Sequence, residues 1–142
     1  MGKINKVSFA HQASLLKSRF PNSKVNVERD QKITWEATLQ PTPLSNIYRV
    51  KVIYAKDQYP KSFVVNPKPL KLVKGENVLP HVYNTNKQQL CLFYPDGKEW
   101  NTSKLLVRTI VPWISEWLYY YELWLGTGEW LGGGTKHKKS NK

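Results

Sequence analysis

The residues best suited to chemistry lie in one stretch, PHVYNTNKQQLCLFYP, which runs from Pro80 to Pro95. It holds the only cysteine of the 142-residue chain, Cys91, ten positions after His81. A cysteine attacks as the thiolate, which a nearby base or positive charge helps to form, and His81 is the histidine nearest in sequence. The alternative is structural, because cysteines outside disulfides are among the most buried residues. The stretch therefore contains either a nucleophile or a small core side chain.

Strand alternation favours the nucleophile. The run QLCLFY, residues 89–94, has the apolar and aromatic content typical of a strand. Successive side chains of a strand point to opposite faces, so Cys91 would lie opposite both Leu90 and Leu92. If the leucines face the core, the thiol faces outward. We therefore expect an exposed Cys91.

Other catalytic and metal-binding arrangements find little support in the sequence. His11 falls in a predicted helix and His137 in the terminal tail, so the signature of a cysteine protease is missing. One cysteine and three dispersed histidines do not have the ligand spacing of a zinc site. We expect neither a metal nor a cofactor.

The charge of the chain favours an acidic partner. The formal net charge is +12, from 22 Lys and Arg against 10 Asp and Glu. These cations are scattered, and the densest run, KHKKSNK, is predicted to be disordered. A diffuse positive surface is therefore preferred over specific recognition of nucleic acid. A lone cysteine suits a reducing cytosol, and no run of about 18 apolar residues indicates a membrane span, so we expect a soluble, cytoplasmic protein.

The first half of the chain predicts a helix followed by strands. Residues 8–20 place apolar side chains three and four positions apart, with Ser8 as the N-cap and Pro21 as the stop. Short extended runs separated by turn residues then favour a four-stranded antiparallel meander. Its predicted strands are KITWEATLQP, IYRVKVIYA, SFVVN and QLCLFY.

The second half predicts helices. Apolar and aromatic residues recur with helical spacing after Ser103, or alternatively Thr102, as the N-cap. Pro112 is expected either to kink this helix or to begin a second one. We expect the recurring residues, Leu106, Ile110, Trp113, Trp117, Tyr121 and Trp124, to be core rather than a platform for nucleic-acid bases. Tyr119 and Tyr120 lie off this stripe and are expected to mark an exposed surface.

Glycines end the helical region and limit the domain. The motifs GTGEW and LGGG are typical of helix C-termini, and this explanation is simpler than a processed, ubiquitin-like tail at residues 132–134. We therefore predict one α+β domain over residues 1–134, with helices at both ends of a sheet, and a basic disordered tail over residues 135–142.

The order of these features resembles the ubiquitin-conjugating-enzyme fold over about residues 8–134. That family carries a His-Pro-Asn tripeptide about ten residues before its cysteine and a tryptophan soon after it. Here HVY, residues 81–83, stands in the place of the tripeptide, Cys91 matches the nucleophile and Trp100 matches the tryptophan. With its VPWISEWLYYYELWLGTGEWLGGG ending, the second half is similar to the bacterial branch associated with cyclic-oligonucleotide-based antiphage signalling systems (CBASS).

The resemblance implies thioester chemistry. Cys91 would accept the C-terminal carboxyl of a partner protein, similar to the cyclic-nucleotide synthase of these systems, and pass it to an amine or another nucleophile. A chain of 142 residues leaves no room for an adenylating domain beside this fold. A separate activating enzyme is therefore an expected partner.

One departure from the family pattern concerns the asparagine of the tripeptide. Tyr83 replaces it in register, and Asn84 follows one residue later. The resemblance implies Cys91 as nucleophile, His81 as organiser or polar support of the loop, and Asn84 as a substitute hydrogen-bond donor. A second hypothesis is a non-catalytic binding module of the same fold, which recognises a modifier or synthase without transferring it.

Overall fold

The computed structural model describes residues 5–132, and these form a six-stranded antiparallel sheet with a helix before it and a helix after it. The α+β class is therefore confirmed. Gly133, Gly134 and the predicted tail at residues 135–142 lie outside the described residues. The helices are α1 (Phe9–Arg19) and α2 (Ile110–Thr127), and the strands are β1 (Lys24–Glu28), β2 (Lys32–Leu39), β3 (Tyr48–Ala55), β4 (Lys61–Asn66), β5 (Val82–Asn84) and β6 (Gln89–Leu90).

The prediction of four strands is wrong, because two short strands escape detection. The sheet order is β1-β2-β3-β4-β6-β5. Strand β1 lies at one edge with four of its five residues exposed, and its alternation of Val25 and Val27 with polar residues spans only five positions. Strand β5 has three residues, and the predicted strand at residues 89–94 is reduced to Gln89–Leu90. Strands as short as β5 and β6 give no periodic signal, and only their pairing identifies them.

The central strands form the core as predicted. In β2 the side chains of Ile33, Trp35, Ala37 and Leu39 are buried, and β3 alternates buried and half-buried residues along its full length. The two strands pair over eight residues in antiparallel register. Their buried side chains belong to the same hydrophobic core as those of α2. This core is the base against which the rest of the sheet is positioned.

Helix α1 begins where the sequence predicts. The Ser8 hydroxyl accepts a hydrogen bond from the His11 backbone N–H at 3.1 Å, which caps the helix. Gln12, 1 % exposed, lies on the buried face and bonds to the chain before α2. Its Nε2 donates to the Lys104 carbonyl at 2.9 Å, and its Oε1 accepts from the Leu106 N–H at 2.9 Å. One buried amide therefore fixes the approach to α2.

Helix α2 begins later than predicted. A 3-10 helix, Leu106–Arg108, precedes it, and α2 starts at Ile110, so neither Ser103 nor Thr102 is its cap. The expectation that a second helix begins near Pro112 is confirmed. Pro112 is the third residue of α2, where a backbone N–H would have no partner within the helix, so the missing donor costs no hydrogen bond.

The aromatic stripe of α2 is core, as predicted. Its members are buried except Trp113, which is half-buried, whereas Tyr119 is 40 % exposed. The expected glycine stop is also confirmed: Gly128 has a left-handed φ of 82° and donates its N–H to the Trp124 carbonyl at 2.7 Å. Neither α2 nor any other helix between residues 5 and 132 is long and apolar enough to cross a bilayer.

Gln88 fixes the β5–β6 hairpin against β4. It is 1 % exposed and lies at the end of the hairpin turn with a φ of 53°. Its Oε1 accepts from the Leu70 N–H at 2.6 Å, and its Nε2 donates to the Val64 and Pro67 carbonyls at 2.9 and 3.1 Å. The buried amide thus bonds three backbone groups, which hold in place the hairpin that leads to Cys91.

Replacing this amide should destabilise the protein. Gln88→Leu keeps much of the side-chain volume and leaves three backbone groups without these partners. We expect the free energy of unfolding to fall by about 2–4 kcal/mol, since each unsatisfied buried group costs about 1–3 kcal/mol. Urea titration followed by circular dichroism measures the loss. The exposed Gln31→Leu is the matched control, and equal stabilities for the two variants would contradict the assignment.

Candidate functional site

Cys91 lies directly after strand β6, at the end of the hairpin. Its N–H donates to the His81 carbonyl at 3.1 Å, which extends the β5–β6 pairing beyond the strands themselves. The side chain is 7 % exposed. The expectation of an outward-facing thiol is therefore wrong, because the strand ends at Leu90 and its alternation does not reach Cys91.

The backbone of His81 is the anchor of this loop. His81 has a left-handed φ of 48°, a conformation that histidine adopts more readily than most residues. Its carbonyl accepts from the Cys91 N–H and, on the other side, from the Trp117 indole Nε1 at 3.0 Å. The loop before the cysteine is thereby bonded to α2. The predicted role of His81 as a loop organiser agrees with these contacts.

The His81 ring packs on an aromatic residue that sequence reasoning missed. Trp130 stacks on it with ring centroids 5.2 Å apart and an interplanar angle of 21°. Trp130 follows the Gly128 turn, which directs the chain back toward α2, and its ring also contacts Trp117 at 5.8 Å. The motif GTGEW predicts a turn followed by an aromatic residue. The sequence does not show that this residue, Trp130, packs on His81.

Tyr83 is the side chain of β5 that reaches the cysteine. Val82 pairs with Leu90 and Asn84 pairs with Gln89, so Tyr83 is the extra residue of a β-bulge. Its hydroxyl hydrogen-bonds the Cys91 thiol and lies 3.3 Å from the Phe93 carbonyl. The position that departs from the family tripeptide is therefore in contact with the cysteine.

Asn84 lies toward the turn of the hairpin. Its Oδ1 accepts from the Lys87 N–H at 2.8 Å, and its backbone pairs with Gln89 rather than with the region of Cys91. The side chain thus closes the turn, in the way typical of asparagine. The structure brings His81 and Tyr83 to Cys91, and the contacts of Asn84 lie elsewhere.

The surroundings of Cys91 favour the protonated thiol. Burial raises the pKa of Cys91 to about 11, from an ordinary value of 9.0, and the negative charge of Glu99 acts in the same direction. The hydrogen bond from Tyr83 opposes them and lowers the pKa. Burial is the larger effect, so the resting thiol is neutral at physiological pH.

The residues after Cys91 are held by aromatic packing. Phe93 is buried and contacts Tyr59, Trp113 and Trp100, with ring centroids 5.7, 6.1 and 6.3 Å apart. Trp100, the tryptophan noted in the sequence, is 1 % exposed and donates its Nε1–H to the Thr109 hydroxyl at 2.9 Å. The cysteine is therefore fixed from both sides along the chain.

A mostly apolar groove of about 390 Å³ lies beside this loop. Its walls come from the β3–β4 connection and from the residues on either side of Cys91. Between residues 5 and 132, no three His, Cys, Asp or Glu residues are grouped closely enough to hold a metal ion. The apolar side chains of the groove are those of Tyr59, Pro60, Leu90, Leu92, Phe93 and Pro95, and Tyr83 completes it.

Removing the indole donor should loosen the cysteine loop. Trp117→Phe keeps an aromatic ring and loses the hydrogen bond to the His81 carbonyl, so we expect a stability loss of about 1 kcal/mol. The Cys91 amide should exchange faster with deuterium, because its acceptor is less firmly held. Exchange measured on a peptide covering residues 81–93 tests this. Trp124→Phe, the same substitution at another buried position of α2, is the control, and equal exchange in both variants would contradict the anchor.

The pKa of about 11 predicts how Cys91 reacts with iodoacetamide. In the folded protein the rate should rise about tenfold per pH unit between pH 7 and 10, because the thiolate fraction does so below the pKa. Unfolding in urea should restore an ordinary pKa, with a rate that levels off near pH 9. Since the folded state holds the proton more tightly, stability should also fall as pH rises between about 9 and 11. A folded profile that levels off near pH 9 would contradict the burial effect.

Comparison with known proteins assigns the chain to a family. No curated protein gives a significant match to the chain. A family model described as "Type II CBASS E2 protein" matches residues 12–138, which include the hairpin, the cysteine and the whole of α2. This match covers most of the 142 residues. The chain therefore belongs to the Type II CBASS E2 protein family.

Proposed function

We propose that the protein is a thioester transferase of antiphage defence, with Cys91 as its nucleophile. The thiol loses its proton, and Sγ bonds to the activated C-terminal carboxyl carbon of a partner protein while the activating group leaves. An amine of the target then attacks the same carbon. The C–N bond forms, the C–S bond breaks, and the thiolate departs with the electron pair while the amine gives up a proton to solvent.

The observation that carries this proposal is how the chain holds its single cysteine. Cys91 is bonded through its N–H to His81, and through its thiol to Tyr83, at the end of a hairpin that is fixed to both β4 and α2. Such fixation from independent elements is what a positioned nucleophile requires. Membership in a family of E2 proteins supports the same chemistry.

The donor in this proposal is the cyclic-nucleotide synthase of the same defence system. Its C-terminal carboxyl would be activated by an adenylating enzyme before it reaches Cys91. The apolar groove beside Cys91 offers a surface next to the point where that carboxyl would be bound. His81 positions the loop through its carbonyl, and Asn84 supports it by closing the turn.

One observation favours the alternative, a binding module of the same fold. Cys91 is 7 % exposed and its pKa is raised, so the resting thiol is neither accessible nor ionised. A module that recognises the synthase without acylation would need no reactive thiol. The two functions differ in what they require of the sulfur atom, and replacing that atom alone separates them.

The decisive experiment looks for the acyl-enzyme. The protein is incubated with the synthase, its activating enzyme and ATP, and adducts are resolved by electrophoresis with and without dithiothreitol. We expect a dithiothreitol-sensitive adduct in the wild type, none in Cys91→Ala, and a dithiothreitol-resistant ester in Cys91→Ser, because an oxygen ester resists thiols.

Circular dichroism confirms that each variant is folded, and pull-down of the synthase measures binding. The absence of any adduct with a folded, binding wild-type protein contradicts thioester transfer. If Cys91→Ala then retains both synthase binding and phage protection, the binding module is the function.

A further inference from the structure

Tyr83 is placed to act on the sulfur of Cys91. The β-bulge at Tyr83 turns this residue out of the regular alternation of β5, and its hydroxyl meets both the thiol and the Phe93 carbonyl. Tyr83 is 53 % exposed, whereas Cys91 is 7 % exposed. A side chain that reaches solvent is therefore bonded to the buried sulfur.

The Tyr83 hydroxyl has one proton to donate and two groups that can accept it, the Phe93 carbonyl and the Cys91 sulfur. When Cys91 is a thiol, the phenol can donate to the Phe93 carbonyl, 3.3 Å away, while its oxygen accepts from S–H. When Cys91 is a thiolate, the stronger acceptor is the charged sulfur, and the O–H turns to it. The same side chain thus bonds both protonation states, without a proton transfer between them.

We infer that Tyr83 is a catalytic residue that donates its hydroxyl hydrogen bond to the Cys91 thiolate. For the transfer step the inference rests on the proposed function. As the amine bonds to the carbonyl carbon and the C–S bond breaks, the electron pair moves onto sulfur, and the phenol O–H stabilises that charge. The phenol keeps its proton throughout.

The surroundings of Tyr83 keep it a donor. Burial, followed by the charge and hydrogen bond of Cys91 and then by Glu99, raises the pKa of Tyr83 above its ordinary value of 10.0, so the phenol stays protonated wherever the enzyme works. The contact recorded for the Asn84 side chain lies in the turn, where its Oδ1 accepts from the Lys87 N–H, whereas the Tyr83 hydroxyl is bonded to Cys91 itself. The donor contributed by asparagine in the related tripeptide is here a tyrosine.

The test measures thiolate reactivity without an acyl donor. Tyr83→Phe keeps the aromatic ring and removes only the O–H. We expect the rate of iodoacetamide alkylation at pH 8–9 to fall about three- to tenfold, because a hydrogen bond to a charged group is lost and the thiol pKa rises. Tyr119→Phe, an exposed tyrosine on α2, is the matched control and should leave the rate unchanged.

A Tyr83→Phe rate equal to the wild type, or faster, would overturn the inference, since a ring that only covers the thiol predicts those results. If that variant does not fold, 3-fluorotyrosine is introduced at position 83 instead. It keeps the shape and gives a more acidic donor, so the rate should rise, and no rise would equally overturn the inference. Alkylation needs no partner protein, so this result and that of the adduct experiment can fail independently.

Discussion

The carbonyl of His81 is the point at which the hairpin, the long helix and the cysteine meet. It accepts from the Cys91 N–H on the sheet side and from the Trp117 indole on the helix side. Because Trp117 belongs to the core with β2 and β3, the position of the thiol is tied to the most buried part of the protein. Trp130 stacks on the His81 ring and also contacts Trp117. His81 is therefore held by its ring as well as by its carbonyl.

The burial that positions the thiol also makes it a weaker acid. Burial outweighs the Tyr83 hydrogen bond, and with a pKa of about 11 only about one thiol in ten thousand is ionised at pH 7. A resting cysteine of this kind resists oxidation and unspecific acylation, since both require thiolate. In the proposed mechanism, the arriving donor must therefore change the surroundings of Cys91 before sulfur can attack.

The sequence was sufficient for elements with long periodic patterns. Helix α1 with its Ser8 cap, strands β2 and β3, and the stripe of α2 follow from local spacing and burial alone. The hairpin around the site was not predictable in this way, because β5 and β6 together have five residues and are defined by pairing. The prediction for Cys91 failed for the same reason: alternation was assumed to continue past Leu90, where the strand ends.

The contacts of HVYN, residues 81–84, are divided among the backbone of His81 and the side chains of Tyr83 and Asn84. Support of the loop comes from the His81 carbonyl and from Asn84, which closes the turn through Lys87. The hydrogen bond to the Cys91 thiol comes from Tyr83, which the bulge frees from the alternation of the strand. The Asn84 side chain bonds the turn, and the phenol at the bulged position bonds the sulfur. The bulge therefore separates two neighbouring residues by function, because it leaves Asn84 paired with Gln89 near the turn and frees Tyr83 to bond the sulfur.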